Sequence, residues 1–340
     1  MRLVTTALAI AVAGLGFVSM ANAQLQQITG AGATFPAPIY TKWGQMAQSA
    51  IGIQLNYQAI GSGGGQNQIL NRTVDFGASD APMDPAKLQS GNLLQFPTVM
   101  GAVVVIVNIP DVQANQLKLT GPVLADIFLG KITRWNDPEI AKLNPDVKLP
   151  RLSIAPVHRA DGSGTTYVWC SYLSAVSPEW KDKVGASTSV NWPAGAGAKG
   201  NDGVAGTVSN TRGGIGYVEF AYAYENHLVT ASLQNKDGQF VTPTMETFAD
   251  GAEHADWAHA EKYAVNLINQ PGPKAWPILS ATFIELPKDP QDVTRSNNVV
   301  KFFDWAYSNG DDAARSLEYI PLPNSVKDSV RQAWKTEVHS

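Results

Sequence analysis

The stretch LSIAPVHRADGSGTTYVWCSYLSAV (152–176) predicts a strand, a polar glycine loop and a helix in immediate succession. Residues 152–160 have strand composition, and residues 164–176 read as the helix that follows. The loop between them places Arg159, Ser163 and Thr165 beside glycines. Because a helix N-terminus offers free N–H groups and partial positive charge, this unit predicts an α/β protein that holds a small anion after the strand.

The same alternation continues on both sides of this unit. Further strands are predicted at 53–60, 74–79, 98–109 and 275–286, and further helices at 121–130, 299–310 and 325–338. Strand–helix alternation favours largely parallel sheets. The two long strands, 98–109 and 275–286, bracket the middle of the chain. If both pass between lobes, the two ends of the chain form one lobe and the middle forms the other.

The first 23 residues predict a secretory signal peptide. Arg2 precedes an apolar stretch, 7–20, and Ala21-Asn22-Ala23 follows as a small-x-small cleavage site. That stretch is shorter than the roughly 20 apolar residues of a spanning helix. A buried helix or an uncleaved anchor is the alternative. We predict cleavage after Ala23, which leaves a mature chain that begins at Gln24.

Composition excludes several classes of protein. The 340-residue chain has a net charge of −4, and loss of Arg2 with the signal peptide makes it −5. Nucleic-acid binders are usually strongly basic, so no nucleic-acid partner is predicted. Cys170 is the only cysteine, which excludes an intrachain disulfide. A chain of this length suits two lobes better than one core.

Four polar or glycine-rich loops share one chemistry. All but the first follow a predicted strand directly, and the second and fourth lead into helices, the second from about Gln66. One such loop is more often an ordinary turn with an N-cap. Several together favour a shared anion site, in which Arg159 is the natural bidentate partner of an oxyanion. The loops are GAGATFP (30–36), GSGGG (61–65), ASDAP (78–82) and RADGSGTT (159–166).

Motifs for catalysis and cofactor binding do not fit. The sequence has no Walker loop and no G-x-S-x-G nucleophile elbow. GAGAKG (195–200) matches G-x-G-x-x-G, but we expect no strand before it and no helix directly after it, so we interpret it as a chance match. His254 and His259 miss the helical spacing of a metal pair. No catalytic residue, metal or cofactor is therefore predicted.

Taken together and in this order, the loops resemble the periplasmic phosphate-binding proteins of bacterial phosphate-specific ABC transporters. The resemblance covers residues 28–336 and includes GAGATFPAPIY, VDFGASDAP, LGKITRWNDPEIAKLNP, RADGSGTT, KGNDGVAG and KFFDWAY. It implies a two-lobe α/β periplasmic binding protein fold, in which each lobe has a central β-sheet flanked by helices. A two-strand hinge would join lobe 1 (24–100 plus 272–340) to lobe 2 (101–271).

The resemblance also implies the site residues. A threonine hydroxyl and the next N–H, a serine, an aspartate, and then an arginine, serine, glycine N–H and threonine would bind phosphate in the cleft. These are Thr34, Phe35, Ser62, Asp80, Arg159, Ser163, Gly164 and Thr165. Asp161 would pair with Arg159 and orient its guanidinium. Gly63 stands where many relatives have a second serine, which removes a hydroxyl and keeps the N–H.

Function, partners and location follow as expectations. The resemblance implies periplasmic binding of inorganic phosphate, delivery to the membrane permease of an importer, a monomer and no catalysis. Phosphate carries protons at neutral pH and sulfate does not, so an acceptor-only carboxylate at Asp80 would favour phosphate by roughly 10⁴–10⁵-fold. A secreted phosphatase-like enzyme is one alternative. A binding protein for sulfate, molybdate or a phosphonate is another, and arsenate stays open because its protonation is similar.

Overall fold

The computed structural model describes residues 26–339, so the predicted signal peptide lies outside the described residues. The strands are β1 (Gln26–Gly32), β2 (Ile53–Ala59), β3 (Phe76–Ser79), β4 (Leu93–Val107), β5 (Lys118–Leu119), β6 (Ala155–Arg159), β7 (Ala196–Ala198), β8 (Gly214–Glu219), β9 (Val229–Thr230), β10 (Ser232–Gln234), β11 (Phe240–Val241) and β12 (Leu279–Pro287).

Helices fill most of the connections between these strands. The α-helices are α1 (Ala37–Ile51), α2 (Ser62–Leu70), α3 (Pro85–Ser90), α4 (Gly121–Phe128), α5 (Pro138–Ala141), α6 (Gly164–Val176), α7 (Pro178–Lys183), α8 (Gly200–Asn210), α9 (Phe220–Glu225), α10 (Met245–Glu253), α11 (Val293–Asn309), α12 (Asp311–Ser316) and α13 (Asn324–Glu337). Short 3₁₀ turns cover Trp257–His259 and Glu261–Tyr263.

One long sheet organises the described chain, in the order β2-β1-β3-β12-β4-β8-β6-β7, with β9 also paired to β4. β1 pairs in parallel with β2 and β3, and β6 pairs in parallel with β7 and β8. β4 and β12 lie antiparallel to each other at the centre. A small second sheet has the order β11-β10-β5. The α/β class predicted from the sequence is confirmed, but the sheet is mixed rather than largely parallel, because β4 and β12 run antiparallel to their neighbours.

β4 changes its neighbours midway along its length. Its 15 residues are all buried, as an apolar run in a covered sheet should be. Through Ala102 it pairs with β12, and from Val103 it pairs with β8. We call β2, β1, β3, β12 and residues 93–102 the first sheet half, and residues 103–107, β8, β6, β7 and β9 the second sheet half.

Aromatic side chains fill the core behind each sheet half. On α11, Phe303 packs edge-on against Phe76 and Phe96, with ring centroids 5.3 and 5.7 Å apart. In the second sheet half, Trp169 of α6 stacks on Tyr217 of β8 at 5.0 Å. Each ring is fully buried. The strands that carry the polar loops therefore have a rigid backing.

Three expectations from the sequence are wrong. The second glycine stretch is not a loop before Gln66, because α2 begins at Ser62 and its first turn contains the glycines. A methyl at Gly65 would lie 2.5 Å from Ala31 O, so close packing on β1 explains a glycine within a helix. The first loop does follow a strand, β1. The GAGAKG segment contains β7, and α8 begins at its last glycine, Gly200.

Within residues 26–339, no helix combines the length and the apolar character that crossing a membrane requires.

Candidate functional site

Four helices begin where four parallel strands end. α1 follows β1, α2 follows β2, α6 follows β6 and α8 follows β7. Each of these helices has at least nine residues, so its first turn carries free N–H groups and partial positive charge. In α/β sheets, ligands bind beyond the carboxyl ends of strands. The fold therefore gathers four anion-attracting helix ends from the two sheet halves.

Arg159, the last residue of β6, is held by Asp161 in a two-point contact. Its Nε lies 2.8 Å from Asp161 Oδ1, and its Nη2 lies 2.5 Å from Oδ2. Its Nη1 donates to Thr165 Oγ1 at 3.3 Å. The guanidinium is almost fully buried. A fork fixed in this way presents its remaining donors in one direction, as oxyanion recognition requires.

The Asp161 carboxylate is stabilised in its ionised form. Burial would raise its pKa, but the hydrogen bonds and charge of Arg159, together with the Gly200 N–H, outweigh burial and lower it. The Gly200 N–H donates to Oδ1 at 3.1 Å from the first turn of α8. The structure thus places Asp161 beside Arg159, and the carboxylate also ties the fourth loop to α8.

Thr34 and Thr165 meet through a residue that the sequence did not single out. Asn201 Nδ2 donates to Thr34 Oγ1 at 2.8 Å and to Thr165 Oγ1 at 3.3 Å. All three side chains are buried. Each threonine oxygen accepts from Asn201, so its own hydrogen remains available to donate to an anion. Thr34 follows β1 of the first sheet half and Thr165 follows β6 of the second, so Asn201 links segments that extend from both halves.

Ser62 joins the second, third and fourth loops. Its Oγ accepts from the Asp80 N–H at 3.2 Å and from the Gly164 N–H at 3.0 Å. Ser62 is fully buried at the start of α2. A methyl at Gly164 would lie 2.4 Å from Ser62 Oγ and 2.5 Å from Asp80 Oδ2. Glycine is therefore the residue that lets α6 approach Asp80 this closely.

The Asp80 carboxyl is the unusual group of the cluster. It is 1% exposed, and neither of its oxygens has a hydrogen-bond partner within residues 26–339. Burial raises its pKa to about 7, although the neighbouring Thr282 and Ser62 hydroxyls and the positive charge of Arg159 act to lower it. A buried acceptor beside many donors is suited to a ligand that brings its own hydrogen.

The remaining predicted residues are adjacent in sequence to residues of the cluster. Ser163 is the N-cap of α6, where its Oγ accepts from the Thr166 N–H at 3.0 Å. Phe35 is buried, and its carbonyl accepts from Tyr319. The Gly63 N–H donates to Gly162 O at 2.9 Å, a contact between the two sheet halves. The binding roles of these three residues, like those of the other predicted site residues, stay predictions.

Sequence reasoning missed the second layer around the site. Tyr217 accepts from the Arg159 N–H at 3.1 Å and lies 2.6 Å from Thr166 Oγ1. Asn201 follows the last glycine of GAGAKG, so the strand–helix signal was present in the segment that we set aside. Within the described residues, no group of three or more His, Cys, Asp or Glu side chains could hold a metal ion.

The fold and the site define the class of protein. A family model described as PBP superfamily domain matches residues 18–309. A crystal structure of a phosphate-binding protein from Stenotrophomonas maltophilia shares the fold, with a TM-score of 0.69 at 23% identity, over 92% of this chain and 94% of that one.

Two relatives share much more of the sequence, and both are called phosphate-binding protein PstS. The Pasteurella multocida protein is 54% identical over 317 residues, 93% of this chain and 92% of the relative. The Haemophilus influenzae protein is 50% identical over 316 residues, 93% of this chain and 95% of the relative. The chain belongs to the PBP superfamily and, within it, to the family of these PstS proteins.

Proposed function

We propose that this protein binds inorganic phosphate among the four helix ends and delivers it to an ABC importer. The observation that carries the proposal is the buried Asp80 carboxyl, without a hydrogen-bond partner among the described residues, near the Ser62 hydroxyl and the charge of Arg159. Donors suit the oxygens of an anion, and an acceptor among them suits an anion that is still protonated. The names of the two PstS relatives support phosphate as that anion.

The phosphate ligands that we propose are those that the family resemblance implies. Hydroxyls would come from Thr34, Ser62, Ser163 and Thr165. Backbone N–H groups would come from Phe35 and Gly164, and the charged groups would be Arg159 and Asp80. Asp161 would orient Arg159, and Gly63 would support the contact between the sheet halves. The direct contacts of Arg159 with Thr165 and of Gly164 with Ser62, and the link from Thr34 to Thr165 through Asn201, support one shared site.

The lobe boundaries, the cellular location, the oligomeric state and the membrane partner belong to the same proposal. We infer lobes at 24–100 plus 272–340 and at 101–271, supported by the change of β4 partners between Ala102 and Val103. We propose a periplasmic monomer, secreted with cleavage after Ala23, that docks on the membrane permease of the importer. The family membership supports these expectations, and secretion assays with N-terminal sequencing test the cleavage.

We propose binding without turnover. The names of the relatives describe binding. A secreted phosphatase would need a nucleophile with a base, whereas Ser163 Oγ accepts an N-cap hydrogen bond from the Thr166 N–H. Turnover of p-nitrophenyl phosphate that is lost in Ser163→Ala would contradict the proposal. Arsenate binding would be compatible with the same site chemistry, because arsenate is protonated in a similar way.

Calorimetric titration of the mature protein, stripped of bound anion, tests the function. We expect one tight phosphate site per chain, which a large excess of sulfate at alkaline pH does not displace. Equal competition by sulfate would retain an oxyanion site but reject the role of Asp80. Absence of binding to phosphate, sulfate and arsenate would reject the proposal.

A further inference from the structure

Glu219 is a second buried carboxyl close to the site. It ends β8 opposite Val103, where β4 changes partners. Its side chain is fully buried. Its Oε2 accepts from the Ala221 N–H at 2.8 Å and lies 2.9 Å from Tyr319 Oη. Its Oε1 has no hydrogen-bond partner within residues 26–339.

The single hydroxyl hydrogen of Tyr319 indicates the protonation state of Glu219. Tyr319 Oη lies 2.6 Å from Phe35 O and 2.9 Å from Glu219 Oε2, and it carries one hydrogen. A carbonyl cannot donate, so the shorter contact takes the tyrosine hydrogen. The longer contact then needs a hydrogen from Glu219. A neutral carboxylic acid satisfies both contacts, whereas a carboxylate leaves two acceptors to share one hydrogen.

The surroundings of Glu219 favour the same form. Burial raises the pKa of this carboxyl well above its usual range, against the lowering effects of the neighbouring Tyr319 hydroxyl and of the Ala221 N–H. The negative charge of Asp80 raises it further. Within the described chain Glu219 forms no salt bridge. An ionised group here would place an unpaired charge in the interior, which is strongly unfavourable.

Glu219 is connected to the first loop by two routes. Its side chain contacts Tyr319, which donates to the carbonyl of Phe35. Its backbone N–H donates to Asn201 Oδ1 at 3.1 Å, and Asn201 donates to Thr34 Oγ1. Thr34 and Phe35 are the two residues that the first loop is predicted to contribute. One residue of the second sheet half thus holds both of them.

We propose that Glu219 is a neutral carboxylic acid that positions Phe35 for phosphate through Tyr319, while its backbone N–H positions Thr34 through Asn201. This proposal rests on the proposed function for its ligand. A neutral Glu219 also adds no second negative charge near a bound anion, which already lies beside the Asp80 carboxyl. It is a positioning residue, because its contacts reach the predicted ligands only through other side chains.

The protonation of Glu219 is tested without any ligand. We expect the infrared spectrum of the ligand-free protein at neutral pH to lose one carboxylic-acid C=O band in Glu219→Gln. The control is Glu246→Gln, because Glu246 is exposed and paired with Lys274, which lowers its pKa, so its ionised carboxylate should contribute no acid band and the variant should leave the acid bands unchanged. An unchanged acid band in a folded Glu219→Gln protein overturns the proposal, whatever the protein binds.

The positioning role is tested by phosphate titration of Tyr319→Phe. This change removes the hydroxyl between Glu219 and Phe35 and leaves the ring in place. We expect the phosphate Kd to rise roughly tenfold, since a buried acceptor loses its partner. The control is Tyr307→Phe, because Tyr307 is a buried tyrosine whose hydroxyl donates to Pro97 O away from the first loop. Its stability should fall while its phosphate Kd stays within about twofold of wild type.

The outcomes separate this inference from the function on which it rests. Tight phosphate binding by wild type with no change in Tyr319→Phe rejects the positioning role alone. An equal rise of Kd in both tyrosine variants also rejects it, because the effect would be general destabilisation. If wild type binds no phosphate, the proposed function fails and the positioning role fails with it, while the infrared result still decides whether Glu219 is neutral.

Discussion

Asp80→Asn is the most informative change at the site, because it should alter how sulfate binding depends on pH. Burial raises the Asp80 pKa to about 7, so the carboxyl is largely ionised at alkaline pH. Phosphate brings a hydrogen to this acceptor. Sulfate brings none, so its binding requires a proton on Asp80. Sulfate binding should therefore take up a proton from solvent above about pH 7, and phosphate binding should not.

The magnitude follows from that pKa. Protonating a group above its pKa costs about 1.36 kcal/mol per pH unit. At about pH 9 the cost for sulfate is ~2.7 kcal/mol, or roughly a hundredfold in affinity. Near neutral pH the cost approaches zero. The discrimination of roughly 10⁴–10⁵-fold expected from the sequence is thus too large for this proton cost alone at neutral pH.

The assay is calorimetric titration with sulfate and with phosphate between about pH 6 and pH 9, in two buffers that differ in ionisation enthalpy. Wild type should lose sulfate affinity about tenfold per pH unit above 7 and take up about one proton per sulfate bound. In Asp80→Asn the amide can donate to sulfate at any pH, so both effects should vanish. A wild-type sulfate affinity that does not change with pH would refute the reasoning, as would an unchanged pH dependence in the variant.

Three further predictions concern stability and the geometry of the site. At about pH 8, ligand-free Asp80→Asn should be up to ~4 kcal/mol more stable to urea than wild type. The raised pKa means that ionisation of Asp80 costs wild-type stability as the pH rises from 3.8 to about 7, so the difference should disappear in acid. A variant that is less stable at both pH values would contradict this. Gly164→Ala should weaken phosphate binding at least tenfold in titration, since the methyl would lie 2.4 Å from Ser62 Oγ. In the control Gly206→Ala, the methyl meets no atom within 4 Å, so binding should be unchanged and stability should rise by roughly 0.5–1 kcal/mol. Equal effects of the two variants on phosphate binding would reject the steric argument. Asp161→Asn should raise the phosphate Kd roughly tenfold because Arg159 loses its two-point contact, and a Kd equal to that of wild type would show that the fork needs no orienting partner.

The sequence predicted the elements whose signals are local. α6 begins at Gly164 and ends at Val176, as the sequence pattern of residues 164–176 indicated. The apolar run of β4 was equally clear, although the strand begins at Leu93 and the prediction began at residue 98. In both cases the information lies within a few consecutive residues. Residues 26–32 were missed as a strand, because this QQITGAG segment has few β-branched residues and two glycines.

Contacts between distant residues could not be predicted in the same way. Asn201 contacts Thr34 across 167 positions, and Tyr319 contacts Glu219 across 100. No periodicity or spacing in one sequence encodes such pairs. The glycines of α2 were read as a loop because glycine disfavours helices, yet close packing on β1 requires glycine at position 65. Tertiary packing there overrides local propensity.

A crystal structure of the mature protein with phosphate tests the central claim most directly. The account predicts one phosphate within hydrogen-bond distance of Ser62 Oγ, the Gly164 N–H and the Arg159 guanidinium, with one phosphate oxygen at about 2.5–2.7 Å from an Asp80 carboxylate oxygen. A phosphate bound elsewhere on the molecule, or one bound among these donors with Asp80 turned away from it, would contradict the account.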